Sequence, residues 1–161
     1  IENEKIEIQK LISQSQVLSE SGDFDKALSL IQKARVDFPN NYDLIISEAH
    51  IYNKLNNNDR FLELLKEGEK SANANDVLFF NIGVLEQANE NYDEAENYYL
   101  KAIEINPENV DAYYNLGIVY SKQATLLKND IDNFIDQPEK YDEIFLDIIE
   151  IFRKSISNYK Q

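Results

Sequence analysis

A fixed internal period of 34 residues constrains this 161-residue chain more than any other feature of its sequence. Asn81 and Gly83 recur 34 residues later as Asn115 and Gly117. Over twice that distance, four more residues recur: Ala27, Ala34, Pro39 and Tyr52 become Ala95, Ala102, Pro107 and Tyr120. Because unrelated residue types share one period, the chain is predicted to stack copies of a single supersecondary unit.

Each copy is predicted to be two helices joined by a turn. Apolar residues recur at helical spacing, as in Leu28, Ile31 and Ala34, which is typical of a helix with one buried face. Asn- and Asp-rich segments at 56–59 and 73–76 supply helix breakers and N-caps. One such hairpin cannot bury its apolar face alone, so neighbouring hairpins must pack into a solenoid.

The period and its residues resemble the tetratricopeptide repeat, a helix–turn–helix of ~34 residues. The best copy spans 76–109 and carries the family pattern at Phe79, Ile82, Gly83, Tyr92, Ala95, Tyr99, Ala102 and Pro107. The resemblance implies an all-α, right-handed α-solenoid forming a single domain over 1–161, with repeats at about 8–41, 42–75, 76–109 and 110–161. The second copy departs from the pattern, with Phe61 in the slot of the first packing alanine and Asn73 in that of proline.

The fourth repeat is elongated by an insertion at about 124–150. Helix-favouring sequence continues past Tyr120, and a turn is predicted near Asp136–Pro138. We therefore expect a projecting hairpin of two long helices, in which Leu127 packs against Ile144 and Phe145, serving either as a cap or as a docking surface. It is similar to elongated repeats of Bacteroidetes proteins, many of them exported, so the resemblance favours a periplasmic or cell-envelope location, with the cytoplasm as the alternative.

The composition excludes several classes of partner. The formal net charge is −14, which repels nucleic acid and anionic lipid. No apolar run approaches the ~20 residues of a membrane span, and there is no Cys for disulfide or thiol chemistry. The chain begins at Ile1 and contains no Met, so we expect it to be a segment of a longer protein.

No catalytic site, cofactor site or metal site is predicted. His50 is the only histidine, and the four glycines are scattered rather than gathered in a phosphate-binding loop. The segment 130–136 carries acidic residues at spacings faintly like a calcium loop, but it lacks the required central glycine. We therefore expect a protein that is not an enzyme.

The tetratricopeptide resemblance implies that the first helix of each repeat lines a concave groove that binds a partner segment. Transferred by position, the groove residues are Ile46, His50, Asn53, Phe80, Asn81, Val84, Tyr114, Asn115 and Ile118. Asn81 and Asn115 are suited to pair with a peptide backbone, since a side-chain amide both donates and accepts. The apolar and aromatic members are suited to bury large side chains of a protein or peptide partner.

Two alternatives to this groove stay open. In the first, neighbouring helices or the helix at 139–159 already cover the same strip. In the second, the chain is a self-association module that forms a homo-oligomer through the solenoid ends or the hairpin, and the groove is incidental. An acidic C-terminal tail is not an expected partner, because the groove that holds such a tail uses a cluster of Lys and Arg, and Lys54 and Lys122 are the only basic candidates here.

Overall fold

The computed structural model describes residues 2–131 and 136–158, which form helices and the turns between them. The helices are α1 (Glu2–Glu20), α2 (Phe24–Asp37), α3 (Tyr42–Lys54), α4 (Asn58–Gly68), α5 (Asp76–Ala88), α6 (Tyr92–Ile105), α7 (Val110–Ile131) and α8 (Pro138–Asn158). The predicted all-α class is therefore confirmed, and the helix pairs follow the predicted repeats. One difference is α1, which begins at Glu2 rather than near residue 8, because no helix breaker interrupts the preceding sequence.

The chain divides into two compact units, Ile1–Ala74 and Asn75–Gln161. In the first unit α1 packs on α2 and α3 on α4, and α3 also contacts both α1 and α2. In the second unit α5 packs on α6 and α7 on α8, and α7 contacts α5 and α6 in the same way. The single-domain assignment and the right-handed sense of the solenoid stay predictions.

Asparagine side chains start the helices where the sequence predicts N-caps. The Oδ1 atoms of Asn57 and Asn75 accept hydrogen bonds from the backbone N–H groups of Arg60 (3.1 Å) and Leu78 (3.0 Å). Asn41 caps α3 through the N–H of Leu44 at 3.1 Å. Each cap satisfies a backbone donor that the first turn of a helix leaves without an intrahelical partner.

The turns within the first three hairpins each contain one residue with a positive φ, and these residues recur at the sequence period. Gly22, Asn56 and Glu90 lie 34 residues apart and have φ values of +86°, +55° and +62°. Glycine and asparagine tolerate this left-handed conformation well, whereas glutamate does so at greater cost. The corresponding residue of the fourth repeat is Ala124, which is buried within α7. The turn is therefore skipped and the helix continues.

This continuation makes α7 and α8 the two long helices expected from the insertion. They contain 22 and 21 residues, against 13 in α5 and 14 in α6. Leu127 and Ile144 are partly buried and Phe145 is 50% exposed, so the packing of Phe145 against Leu127 stays a prediction. Projection of the hairpin stays a prediction.

Small residues occupy the helix crossings. Ala27, Ala95 and Ala102 are each 0% exposed. Ser15 stands where the third and fourth repeats have Gly83 and Gly117, and it is also buried. Its Oγ donates to the carbonyl oxygen of Ala27 at 3.2 Å, which provides a buried hydroxyl with a partner.

Replacing Ala95 or Ala102 with leucine is expected to lower the free energy of unfolding by about 1–3 kcal/mol, because added methylenes overpack a filled crossing. Thermal melting followed by circular dichroism measures the loss. Leucine at the exposed Asn97 of the same helix is the control and should leave the melting temperature nearly unchanged. An unaltered melting temperature in the alanine variants contradicts the repeat register.

Candidate partner-binding groove

In the first unit, the first helices of two repeats, α1 and α3, border a cleft of about 300 Å³. His50, Asn53 and Ser47 line it from α3, and Ile12 and Gln16 line it from α1. His50 and Asn53 were placed on the groove side by their position in the repeat. The cleft therefore brings two of the predicted site residues, His50 and Asn53, together with polar groups that can donate and accept hydrogen bonds.

His50 is a neutral hydrogen-bonding group near pH 7. Two effects lower the pKa of His50 below its ordinary value. The larger is partial desolvation of the imidazole, and the smaller is the positive charge of Lys54. Both disfavour the protonated ring. At neutral pH the ring consequently offers one nitrogen donor and one acceptor rather than a positive charge.

Ile46 occupies a different position from His50 and Asn53. Its Cδ1 lies 3.2 Å from where a Cβ on Gly68 would stand, so its side chain packs against the end of α4. It is not among the residues that line the cleft, and it is partly buried. Ile46 therefore contributes to packing within the second repeat.

In the second unit, the two predicted asparagines lie on α5 and α7. Asn81 and Asn115 are both partly buried. The Nδ2 of Asn115 donates to the backbone carbonyl of Asp111 at 2.8 Å, which occupies one of its two N–H groups. The oxygen of the Asn115 amide keeps its acceptor capacity for another donor.

The apolar members of the predicted site in this unit differ in exposure. Tyr114 is 62% exposed and Val84 is 39% exposed, whereas Phe80 and Ile118 are partly buried. The ring of Phe80 packs against that of Tyr99, with centroids 5.8 Å apart. Phe80 thus supports the α5–α6 pair with one side of its ring.

A buried ionic cluster on α2, α3 and α4 was not anticipated from the sequence. Arg35 donates through Nη1 to Glu48 and through Nη2 to Glu67, and Gln32 donates to Glu48 at 2.9 Å. Glu48 is 2% exposed. Burial opposes the charge of Arg35, but the hydrogen bonds that Arg35 donates to the two carboxylates, together with their negative charges, outweigh it and hold the pKa of Arg35 above its ordinary value.

The signal for this cluster was present in the repeat alignment. Glu48 precedes Ile82 by one period and Leu116 by two, and both of these residues are buried in the core. A carboxylate in a slot that other repeats fill with aliphatic side chains must find a cationic partner if it is buried. The sequence does not indicate which basic residue that partner is.

Within 2–131 and 136–158, no helix is long and apolar enough to cross a membrane. In the same residues, no three His, Asp or Glu side chains are grouped so that they could hold a metal ion. The segment weighed as a calcium loop falls largely on residues 132–135, which lie outside the described part.

Paired antiparallel helices with small residues at their crossings, and a cleft between successive first helices, define an α-helical repeat scaffold. A family model described as the TPR repeat matches residues 83–123, which span the end of the third repeat and the start of the fourth. This part of the chain is therefore similar to the tetratricopeptide repeat. No curated protein sequence gives a match.

Solved structures share this fold. The crystal structure of MamA has 22% identity and a TM-score of 0.66, with 94% of this chain and 80% of MamA covered. YrrB, described as a TPR protein with an unusual peptide-binding site, has 16% identity and a TM-score of 0.63, covering 92% of this chain and 78% of YrrB. The first TPR of Spaghetti (RPAP3), bound to an HSP90 peptide, has 19% identity and a TM-score of 0.62, covering 72% of this chain and 92% of the RPAP3 chain.

At these identities the likeness is one of fold. A repeat fold of this kind typically serves as a non-catalytic scaffold for protein interaction. The narrower resemblance to Bacteroidetes repeat proteins, and the location that it implies, stay predictions.

Proposed function

We propose that this chain is a protein-interaction scaffold whose first helices bind an apolar or aromatic segment of a partner protein. The observation that carries the proposal is the cleft of about 300 Å³ between α1 and α3, with His50 and Asn53 in its wall. Its size suits a few side chains, and its polar groups suit a peptide backbone. The peptide-bound state of RPAP3 and the peptide-binding site of YrrB provide precedent on the same fold.

Each unit offers its own surface to such a segment. In the first unit, neutral His50 and Asn53 pair with the backbone of a bound segment. In the second unit, Tyr114 and Val84 cover apolar side chains of a bound segment, and Asn81 and Asn115 pair with its backbone amides. Exposed aromatic and aliphatic side chains are the residue types on which binding energy concentrates.

Replacing both Asn81 and Asn115 with alanine is expected to weaken partner binding by about 1–3 kcal/mol, because two amide hydrogen bonds to the partner are lost. The measurement is a pull-down from the source lysate with wild type and variant side by side. The captured protein is then titrated against both by calorimetry. Replacing Asn97, exposed on the second helix of its repeat, is the matched control. Equal affinities of wild type and the double variant would remove these asparagines from the site.

The first unit is tested separately by replacing His50 and Asn53 with alanine. Circular dichroism should show unchanged helix content, because both side chains are exposed. If this pair weakens binding while the Asn81 and Asn115 pair does not, the partner occupies the first unit alone.

Self-association is a second candidate, favoured by apolar exposure on α8. Phe145 and Leu146 are adjacent and are 50% and 64% exposed, and such side chains in a cluster are typical of an interface. Light scattering over a hundredfold concentration range decides the matter. A mass that stays at 18.7 kDa at the highest concentration excludes a homo-oligomer through this surface.

A further inference from the structure

A second cleft, larger than the first, lies in the second unit beside the elongated helices. It has a volume of about 570 Å³ and lies between the turn that joins α5 to α6 and the facing sides of α7 and α8. Leu126 and Ile151, which line it, fall within or next to the insertion at 124–150, so an ordinary repeat would not form it. It is separate from the residues of the proposed groove.

The two walls of this cleft differ in chemistry. One wall carries the carboxylates of Glu90, Asp93 and Glu94, all exposed. The other is an apolar strip of Leu126, Leu127 and Ile151, in which Leu126 is 52% exposed. None of the residues that line the cleft is basic, so the acidic wall faces the apolar strip without an intervening cation from the lining.

Gln123 lies at the junction of the two walls and has an unsatisfied acceptor. Its Nε2 donates to Asp93 Oδ1 at 2.8 Å and to Glu96 Oε2 at 3.4 Å. Its Oε1 is buried and has no hydrogen-bond partner. A buried acceptor without a donor is destabilising. The exposed carboxylate of Asp93 at the same junction is also an acceptor, so this end of the cleft favours a ligand that donates N–H hydrogen bonds.

We propose that this cleft binds a basic amphipathic segment of a partner protein, with lysine or arginine side chains on the acidic wall and leucine-like side chains on the apolar strip. Lysine and arginine match both walls, because their aliphatic stems pack on apolar surface while their charged heads reach the carboxylates. A second copy of this chain fits poorly, since its net charge of −14 repels another acidic wall. Charge complementarity therefore selects a basic partner.

The first test uses a fluorescein-labelled 15-residue peptide with leucine and lysine at helical spacing, and a matched peptide with glutamate in place of each lysine. We expect the lysine peptide to raise the fluorescence anisotropy of the mixture, with an affinity that falls as salt is added. The glutamate peptide should not bind. Equal binding of both peptides would overturn the proposal.

Charge-reversed variants locate the binding. The variant E90K/E94K is expected to bind the lysine peptide at least tenfold more weakly than the wild type does. The matched variant E104K/E108K changes the net charge equally, at exposed carboxylates of the same unit that do not line the cleft, and it should weaken binding less than threefold. Equal losses in the two variants mean attraction to overall charge only and overturn the proposal.

A second pair of variants tests the apolar wall. Leu126→Gln is expected to lower the affinity for the lysine peptide at least fivefold. Val110→Gln, at a 74% exposed position of the same helix, should leave that affinity unchanged. Loss of peptide binding in the Asn81 and Asn115 double variant would instead place the peptide in the groove and contradict this site. The two proposals therefore fail on different variants.

Discussion

Replacing Glu48 with alanine is expected to lower the free energy of unfolding by about 3 kcal/mol. The side chain is 2% exposed and accepts from both Arg35 and Gln32. Removing one partner of a buried ion pair costs roughly 3–5 kcal/mol, because the other charge stays buried without full compensation. Glu67 still pairs with Arg35, so we expect the lower end of that range. Chemical denaturation with wild type as reference measures the difference.

Glu63 provides the matched control for Glu48. It also pairs with an arginine, Arg60, at 2.6 Å, but its side chain is 64% exposed. Exposed pairs contribute about 0–1 kcal/mol, so Glu63→Ala should be nearly neutral. If the two variants lose the same stability, the cluster of Arg35 and Glu48 is not a buried pair in solution.

The double variant R35M/E48L distinguishes two quantities. One is the net contribution of the ion pair to the free energy of unfolding, and the other is the loss of stability when only one partner is removed. Leucine at 48 restores the aliphatic residue type found one and two periods later at Ile82 and Leu116. Replacing a buried pair by apolar side chains is often neutral or stabilising. We therefore expect the double variant to be clearly more stable than Glu48→Ala. A double variant as unstable as the single one would contradict this account.

Replacing Gly83 with leucine is expected to destabilise the second unit by about 3 kcal/mol, at the upper end of the range for overpacking. A Cβ at this position would stand 2.7 Å from Cε1 of Tyr99, which is closer than packed carbon atoms approach. Tyr99 is fully buried, and its hydroxyl donates to Gln87 at 2.8 Å, so the ring cannot move aside cheaply. Thermal and chemical denaturation both measure the effect.

Two further variants assign that loss to the tyrosine ring. In Gly68→Ala the new Cβ stands 3.2 Å from the terminal Cδ1 of Ile46 and in ordinary contact with Tyr42 and Ile45, at 3.5 and 3.8 Å. The change in stability should be less than about 1 kcal/mol, since alanine also favours the helix. In a Tyr99→Leu background, the further cost of Gly83→Leu should shrink, and a double-mutant cycle reports this as coupling between the two sites. A cost that is unchanged in that background would mean that the clash lies elsewhere.

The helices and their pairing could be predicted from the sequence because the interactions that determine them are local and repeated. Asn57 and Asn75 cap helices in the adjacent sequence, and Ala27 and Ala95 are buried at the same point of their repeats. Each repeat carries the same small set of signals, so one well-preserved copy, 76–109, sets the register for the others.

The positions of the predicted site residues could be predicted only in part from the sequence. The site residues were assigned to one face by their position in the repeat, and His50 and Asn53 do lie in one wall of the cleft. Ile46 instead reaches Gly68 on the next helix. The difference arises because Gly68 leaves a space where other repeats have alanine, as in Ala34 and Ala102, and the neighbouring side chain fills it.

The 34-residue period, the pairing of two helices in each repeat and the elongation of the last repeat were thus determined by the sequence, since each depends on residues near one another in the chain. Tertiary structure alone decided which arginine neutralises Glu48 and that Gln123 meets Asp93 across 30 residues. It also decided that the acidic α5–α6 turn faces the apolar strip of Leu126 and Ile151. These pairings depend on how helices cross and on where long side chains end, and residue spacing within one helix does not specify either.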